Sequence, residues 1–325
     1  MKALYFNGEK IHYKKNYPVG KPSKAEALVR ILKAGICNTD IEIVKGYMGF
    51  EGILGHEFVG IVEECNEKRL IGKRVCGEIN LSCGECEYCR KKLENHCPSR
   101  KVLGILNKDG CFAEFITLPI KNLHTLPKNV SDNEAVFVEP LAACFEVLKQ
   151  IRIEKDDVVA VIGDGKLGLL MVQVVGQKTR NIHLIGRHRR NLNIAKRFDL
   201  LSVFLENSLK AERLKKTKCD IVIDCTGTPA GLSLSMELVK PCGKIVLKST
   251  YASAQPLNLA PVVINEITLI GSRCGPFKDA INALKVGKVD VLPLISKDFH
   301  LSEGLEAIEY AKQKGVMKVI LSVAQ

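Results

Sequence analysis

Cys83-Gly-Glu-Cys86-Glu-Tyr-Cys89 is followed by Cys97, so four thiols stand at intervals of two, two and seven residues. That spacing fits a closed tetrahedral Zn²⁺ site, and four thiolates leave no position for chemistry, so the site is structural. The bland alternative is a group of free or disulfide-bonded thiols. A second donor set is spread along the chain. Cys37 lies in Gly35-Ile-Cys37-Asn-Thr39-Asp40, His56 and Glu57 in Gly55-His56-Glu57-Phe-Val-Gly60, and Glu139 in Val-Glu139-Pro140-Leu-Ala. Taken singly, a cysteine is often a small hydrophobe. A thiolate, an imidazole and carboxylates drawn from distant segments are the mixture of a catalytic zinc that keeps one position for water or substrate. Two zinc ions per chain are expected.

Gly163-Asp-Gly165-Lys166-Leu167-Gly168 is a G-x-G-x-x-G. It follows the apolar run Val158-Val-Ala-Val-Ile162 and opens a helical pattern, the context of a dinucleotide-binding loop. The first glycine permits the tight turn, the second the approach of backbone to pyrophosphate, and the third close helix–strand packing. Helix N-terminal N–H groups then face the phosphates. The end of the next strand discriminates between cofactors. An NAD site places an acid there for the ribose hydroxyl. Here stand Gly186-Arg187-His188-Arg189-Arg190 and no acid. Arginine forks pair with a 2′-phosphate that a carboxylate would repel, so NADP(H) is favoured over NAD(H). His188 could bond either ribose.

The elements that must position these groups follow from pattern and size. The 325 residues, 46% of them hydrophobic, suffice for two domains. Short β-like runs such as Ala27–Leu32 and Phe58–Glu63 fill the first 125 or so residues, punctuated by Gly and Pro. Ser131-Asp-Asn-Glu134 has the capping-box pattern and predicts one helix running to Ile151. From Asp157 onward, continuous apolar strands at 158–162, 182–185, 221–224, 244–247 and 267–270 alternate with helical stretches. That alternation predicts a doubly wound parallel sheet. The expected plan is an α/β chain in which residues 1–140, completed by 275–325, form an irregular β domain and 141–274 an inserted nucleotide-binding domain. Thr226 and the segment Lys248-Ser249-Thr250-Tyr251 follow strand ends, where open α/β sheets bind ligands. Both are candidates for the nicotinamide half of the site, with ordinary turn chemistry as the alternative. Arg273 could reach cofactor or substrate, or sit in a surface ion pair.

Composition narrows the class. No signal peptide and no bilayer-length apolar run is legible. Thirteen cysteines, an odd number, with a metal-like cluster, indicate a reducing cytoplasm rather than a disulfide scaffold. The formal net charge is +12, yet the basic residues are dispersed from Lys10 to Lys218, aromatics make up 6%, and there is no Trp. Nucleic-acid binding needs a concentrated basic stripe and stacking platforms, so it is not expected.

Together these motifs resemble the zinc-containing medium-chain alcohol dehydrogenases, in that family's order and over almost the whole chain. The branch of sorbitol (polyol), threonine and glucose dehydrogenases is nearest, because it carries Glu-Pro where Glu139-Pro140 stands. Gly35–Asp40, Asp164–Gly168 and Gly271-Ser-Arg-Cys-Gly-Pro276 are similar to a zinc-dependent alcohol dehydrogenase-like group. The resemblance implies a GroES-like irregular β catalytic domain plus a Rossmann domain. It implies Cys37 and His56 as fixed ligands of the catalytic zinc, with Glu57 and Glu139 binding it directly or through water. Thr39 falls at the hydroxyl relay position, and Cys83, Cys86, Cys89 and Cys97 match the structural zinc lobe. The histidine that ends the relay in several relatives is absent; Glu42 lies near its place, and Glu42, Asp40 or water could carry the proton out. A homodimer or homotetramer is also implied.

The implied reaction is hydride transfer between a carbinol carbon and the nicotinamide of NAD(P), with zinc as Lewis acid and Thr39 as proton acceptor. The substrate class is an alcohol, polyol or sugar-like molecule. The rival from another class is a non-catalytic zinc protein acting as redox sensor or basic nucleic-acid binder. A zinc-free reductase of the same superfamily should lack Cys37, His56 and the four-cysteine lobe. Replacing Cys37 or His56 by Ala is expected to abolish turnover while NADP(H) binding, followed by fluorescence, stays intact; wild-type rates in either variant would refute the assignment.

Overall fold

The computed structural model describes residues 1–200, 202–250 and 258–323. The chain divides into two compact units, Met1–Glu139 with Phe277–Gln325, and Pro140–Pro276.

The first unit is built on a seven-stranded sheet whose central strand is Glu26–Ile36. Its residues alternate between half-buried and buried, then are buried from Ala34 to Ile36, where the strand approaches Cys37. Glu57–Cys65 pairs antiparallel on one side, with Gly35 opposite Glu57. Lys318–Ser322 pairs antiparallel on the other, with Gly35 opposite Ile320. A strand from the far end of the sequence thus completes the sheet that holds the upstream ligands. The hairpin-like pair Asn80–Leu81 and Lys101–Val102 closes the base of the loop that carries the four cysteines.

The second unit is a six-stranded parallel sheet in the order Ser202–Leu205, Ile182–Gly186, Val159–Ile162, Cys219–Asp224, Val239–Leu247, Thr268–Gly271. This is the 3-2-1-4-5-6 order of the Rossmann fold. Val159–Ile162 is buried along its whole length, as a strand covered on both faces must be. Gly163 turns the chain with φ +111. A Cβ at Gly168 would lie 1.8 Å from the carbonyl oxygen of Gly163, so only glycine lets the helix Lys166–Val175 pack on this turn.

The expected single helix from Ser131 is two. Asp132–Ala135 forms one turn behind the capping box, in which Ser131 N donates to Glu134 Oε2 at 2.8 Å, and Val138–Gln150 follows. Pro140 explains the break, because it lacks the N–H that a continuous helix would donate to Val136. Proline is tolerated only in the first turn of the second helix. The strand expected at 244–247 is longer, Val239–Leu247, and reaches its full length through an irregularity opposite Cys219–Ile221.

Gly168→Ala is expected to lower stability by about 1–3 kcal/mol through overpacking. A lowered thermal midpoint accompanied by weakened nucleotide binding would show it, and an unchanged midpoint would not be compatible with this contact.

Candidate active site

The four-cysteine group is compact. Cys86 and Cys89 Sγ lie 3.4 Å apart, Cys83 and Cys97 3.6 Å, and Cys83 and Cys89 3.9 Å. Zn–S bonds in a tetrahedral site place sulfurs about 3.8 Å apart, so the donors already sit at the spacing a zinc needs. A one-turn helix, Glu87–Arg90, starts from Cys86 and turns Cys89 back toward the group. Backbone N–H groups of Glu85 and Cys86 lower the Cys83 thiol to about 6. In Cys86 of the same group the N–H of Cys89 acts the same way, but burial and hydrogen bonds with Cys89, Cys83 and Cys97 outweigh it and raise the thiol to about 11. No disulfide joins any of the thirteen cysteines. Elsewhere burial pushes them up: Cys111 and Cys225 rise well above the usual range and Cys219 to about 12. Those thiols are inert packing groups.

The second group joins Cys37, His56 and Glu57, whose donor atoms all lie within 4.8 Å of one another. Cys37 is the first residue past the central strand and the N-cap of the helix Asn38–Val44. His56 and Glu57 stand where the neighbouring strand begins. Asp40, 1% exposed, ties the two segments together. Its Oδ2 accepts the N–H of Cys37 at 2.8 Å, and its Oδ1 lies 3.2 Å from His56 Nδ1. A carboxylate at Nδ1 orients the ring and leaves Nε2 as the nitrogen for a metal. Burial would lower the pKa of His56, but Asp40 and Cys37 hold it well above the usual imidazole range. A metal must therefore displace a proton there, and uptake should weaken as pH falls.

Thr39 is half-buried, and the Cys37 thiol donates to its Oγ1 at 3.8 Å. Glu42 pairs with Lys45 at 2.8 Å on the outer side of the same short helix. Glu139 is half-buried in the first turn of Val138–Gln150 and lies outside the mutually close set of Cys37, His56 and Glu57. Sequence reasoning missed Lys318, which meets the Oε2 of Glu57 with both side chains fully buried. The only local signal is a lysine beginning the apolar run Lys318-Val-Ile-Leu.

In the second unit, Gly165 caps the helix whose first turn holds Lys166, Leu167 and Gly168. The bases of the ribose-side strand end have acidic partners that their own segment lacks. Arg187 makes a two-pronged pair with Glu206, at 2.6 and 3.1 Å, and those hydrogen bonds raise its pKa further. The N–H of His188 donates to Asp164 Oδ2 at 2.6 Å, and its Nδ1 lies 3.1 Å from Asp164 Oδ1. Glu206 arrives because Gly186 and Leu205 are register partners in adjacent parallel strands. Arg189 and Arg190 are exposed at the start of Arg189–Ala195. Thr226 donates through N and Oγ1 to Asp224 Oδ1 at 2.8 and 2.7 Å, a local turn. Ser249 and Thr250 follow the strand Val239–Leu247. Lys248 Nζ donates to the Arg273 carbonyl and to Ser272 Oγ, the latter at 3.3 Å. Tyr251 lies outside the described residues.

The family descriptions "Alcohol dehydrogenase GroES-like domain" and "Zinc-binding dehydrogenase" match residues 23–128 and 167–287. The chain belongs to the zinc-containing medium-chain alcohol dehydrogenase family. As a member, this dehydrogenase is a zinc-dependent, NAD(P)-linked oxidoreductase of CH–OH donors. It is similar to the sorbitol dehydrogenase of Halalkalibacterium halodurans, 28% identical over 323 residues that cover 94% of each chain. A zinc-binding dehydrogenase from Sinorhizobium meliloti 1021, solved bound to NADP, superposes with a TM-score of 0.90 at 26% identity over 99% of both chains. An alcohol dehydrogenase from E. coli CFT073, solved with NADH, gives 0.91 at 26% identity over 99% of both. No helix among the described residues is long and apolar enough to cross a membrane.

Asp40→Ala is expected to weaken zinc at the second group about 10- to 100-fold, leaving the four-cysteine zinc in place. Metal analysis after graded chelation checks this: the variant should give up the metal of the second group before the parent does.

Proposed function

We propose that this dehydrogenase holds two zinc ions and moves hydride between the carbinol or carbonyl carbon of a polyol or sugar-like substrate and a nicotinamide dinucleotide, NADP(H) in preference to NAD(H). The observation that carries the reading is the convergence of Cys37, His56 and Glu57, with buried Asp40 bracing the first two. Its donor set of sulfur, nitrogen and oxygen suits zinc with an open position. When bound, zinc supplies Lewis acidity at the substrate oxygen and the dinucleotide supplies the hydride-carrying ring.

The chain's own residues do the rest. Cys37 and His56 fix the metal, and Asp40 lies against the Nδ1 side of His56. Thr39 Oγ1, 3.8 Å from Cys37 Sγ, takes the substrate's hydroxyl proton in concert with passing its own proton outward as oxidation proceeds, and the relay runs backward on reduction. Glu57 completes the donor set, and Glu139, in the first turn of Val138–Gln150, is the carboxylate assigned to accept from the neighbouring hydroxyls of a polyol. The Gly163–Gly168 turn receives the pyrophosphate on its N–H groups. Arg187, His188 and Arg189 line the ribose side. Glu206 accepts from Nε and Nη2 of Arg187 and moderates the positive charge there.

Cofactor choice then depends on a balance of Arg187 against Glu206. Glu206→Gln is expected to raise the NADP⁺/NAD⁺ ratio of kcat/KM about tenfold, the equivalent of 1.4 kcal/mol, and Arg187→Ala to lower it. Initial rates of both cofactors on polyols, aldoses, hydroxy amino acids and simple alcohols provide the measurement. Equal ratios in parent and both variants would overturn the NADP(H) preference, and turnover insensitive to zinc chelation would overturn the mechanism.

A further inference from the structure

His188 stands twenty positions after Gly168, the place from which an NAD site sends its acid to the ribose. The acid absent from that strand end is nonetheless present in space. Asp164, between the first two glycines of the turn, is 5% exposed and lies against the end of Ile182–Gly186. A Cβ at Gly186 would come within 2.4 Å of the Cβ of Asp164, so only a bare strand end admits this carboxylate. Both its oxygens are engaged by one residue: Oδ2 accepts the N–H of His188 at 2.6 Å, and Oδ1 lies 3.1 Å from Nδ1. Burial and these two contacts leave Asp164 no reach of its own toward a ribose. The imidazole side chain, by contrast, is 46% exposed. With Nδ1 engaged, Nε2 is the ring nitrogen left for a ligand. Arg187 is turned to Glu206, and Arg189 and Arg190 are exposed, so His188 is the base of this run that a buried group braces.

We propose that Asp164 is a positioning residue for adenosine recognition: acting through His188, it holds the imidazole where Nε2 meets the 2′ substituent of the ribose. This rests on the dinucleotide reading above. The acid of the site is withdrawn behind the ring, and the group offered to the ribose is an imidazole, which can meet a 2′-phosphate that a carboxylate would repel. Asp164 also belongs to the turn assigned to the pyrophosphate, so phosphates and ribose are read by one connected piece. The freedom that the ring would otherwise lose on binding is already lost in the free protein.

The test is calorimetric titration with two fragments that lack nicotinamide, adenosine 2′,5′-bisphosphate and 5′-AMP, so that neither turnover nor zinc enters. Asp164→Asn keeps the shape over Gly186 and removes the charge behind the ring. Asp164→Asn and His188→Ala are each expected to weaken the bisphosphate about tenfold, and 5′-AMP less. The double variant should bind no more weakly than His188→Ala, because a residue that acts through the ring has nothing to act on once the ring is gone. A merely structural aspartate behaves otherwise. Its bond to the main-chain N–H at position 188 survives loss of the ring, so Asp164→Asn would weaken both fragments as much in the His188→Ala background as in the parent. That additive result would overturn the proposal, as would parent-like binding of the bisphosphate by Asp164→Asn. Asp164→Ser, too short to reach the ring, should give the same non-additive pattern and is judged the same way if Asp164→Asn does not fold. Equal affinity of the parent for the two fragments would instead overturn the NADP(H) preference, and the coupling of Asp164 with His188, read with 5′-AMP, would still decide this role. A parent that binds neither fragment would overturn both.

Discussion

Antiparallel register places Gly35 opposite Glu57, and the rest of the catalytic unit is arranged around that pairing. Cys37 follows two residues beyond Gly35, and His56 directly precedes Glu57, so one rung of the sheet brings thiolate, imidazole and carboxylate to one end. Side chains alternate faces along a strand, and a slip of one residue would carry Glu57 to the opposite face. The long ladder between Glu26–Ile36 and Glu57–Cys65 is what prevents it. The short helix after Cys37 then has only one task, to deliver Asp40 back onto its own N-terminus and onto His56.

The energetics of this corner are those of charge without water. Asp40, His56, Glu57 and Lys318 are all at most 2% exposed. Buried ion pairs contribute little net stability, but removing one partner costs about 3–5 kcal/mol because the other charge is left alone. Such a group holds a geometry rather than adding stability, and geometry is what a metal with one open position requires. The four-cysteine lobe is different. It lies partly exposed at the end of a two-stranded ladder, and its four thiols sit at the spacing of a shared metal rather than in a charged, dry interior.

Legibility in the sequence followed the length of chain between partners. Cys83 and Cys97 are fourteen positions apart, and the glycine turn is contained in six residues, so both were readable as local patterns. The alternation of apolar strands and helical stretches likewise announced the parallel sheet. Lys318 meets Glu57 across 261 positions, and no periodicity reports such a partner. Glu206 lies nineteen positions after Arg187 and becomes its neighbour only through the pairing of adjacent parallel strands. Reading the segment Gly186–Arg190 as free of acid was correct for the segment and incomplete for the space around it. The break before Val138 is the reverse case: Pro140 was in plain view, and the capping box ahead of it drew the helix too long.

The strand Lys318–Ser322 lies beside Glu26–Ile36 although the whole of Pro140–Pro276 separates them in sequence. A ribosome delivers these pieces in order. The parallel-sheet unit is contiguous and is fully synthesised while the other still lacks two strands of its sheet, and domains generally fold as units during synthesis. Until the last of those strands emerges, Glu57 has no lysine and the central strand has an open edge, which is a surface prone to wrong pairing. The strand Lys318–Ser322 is therefore the one that covers the open edge of the central strand.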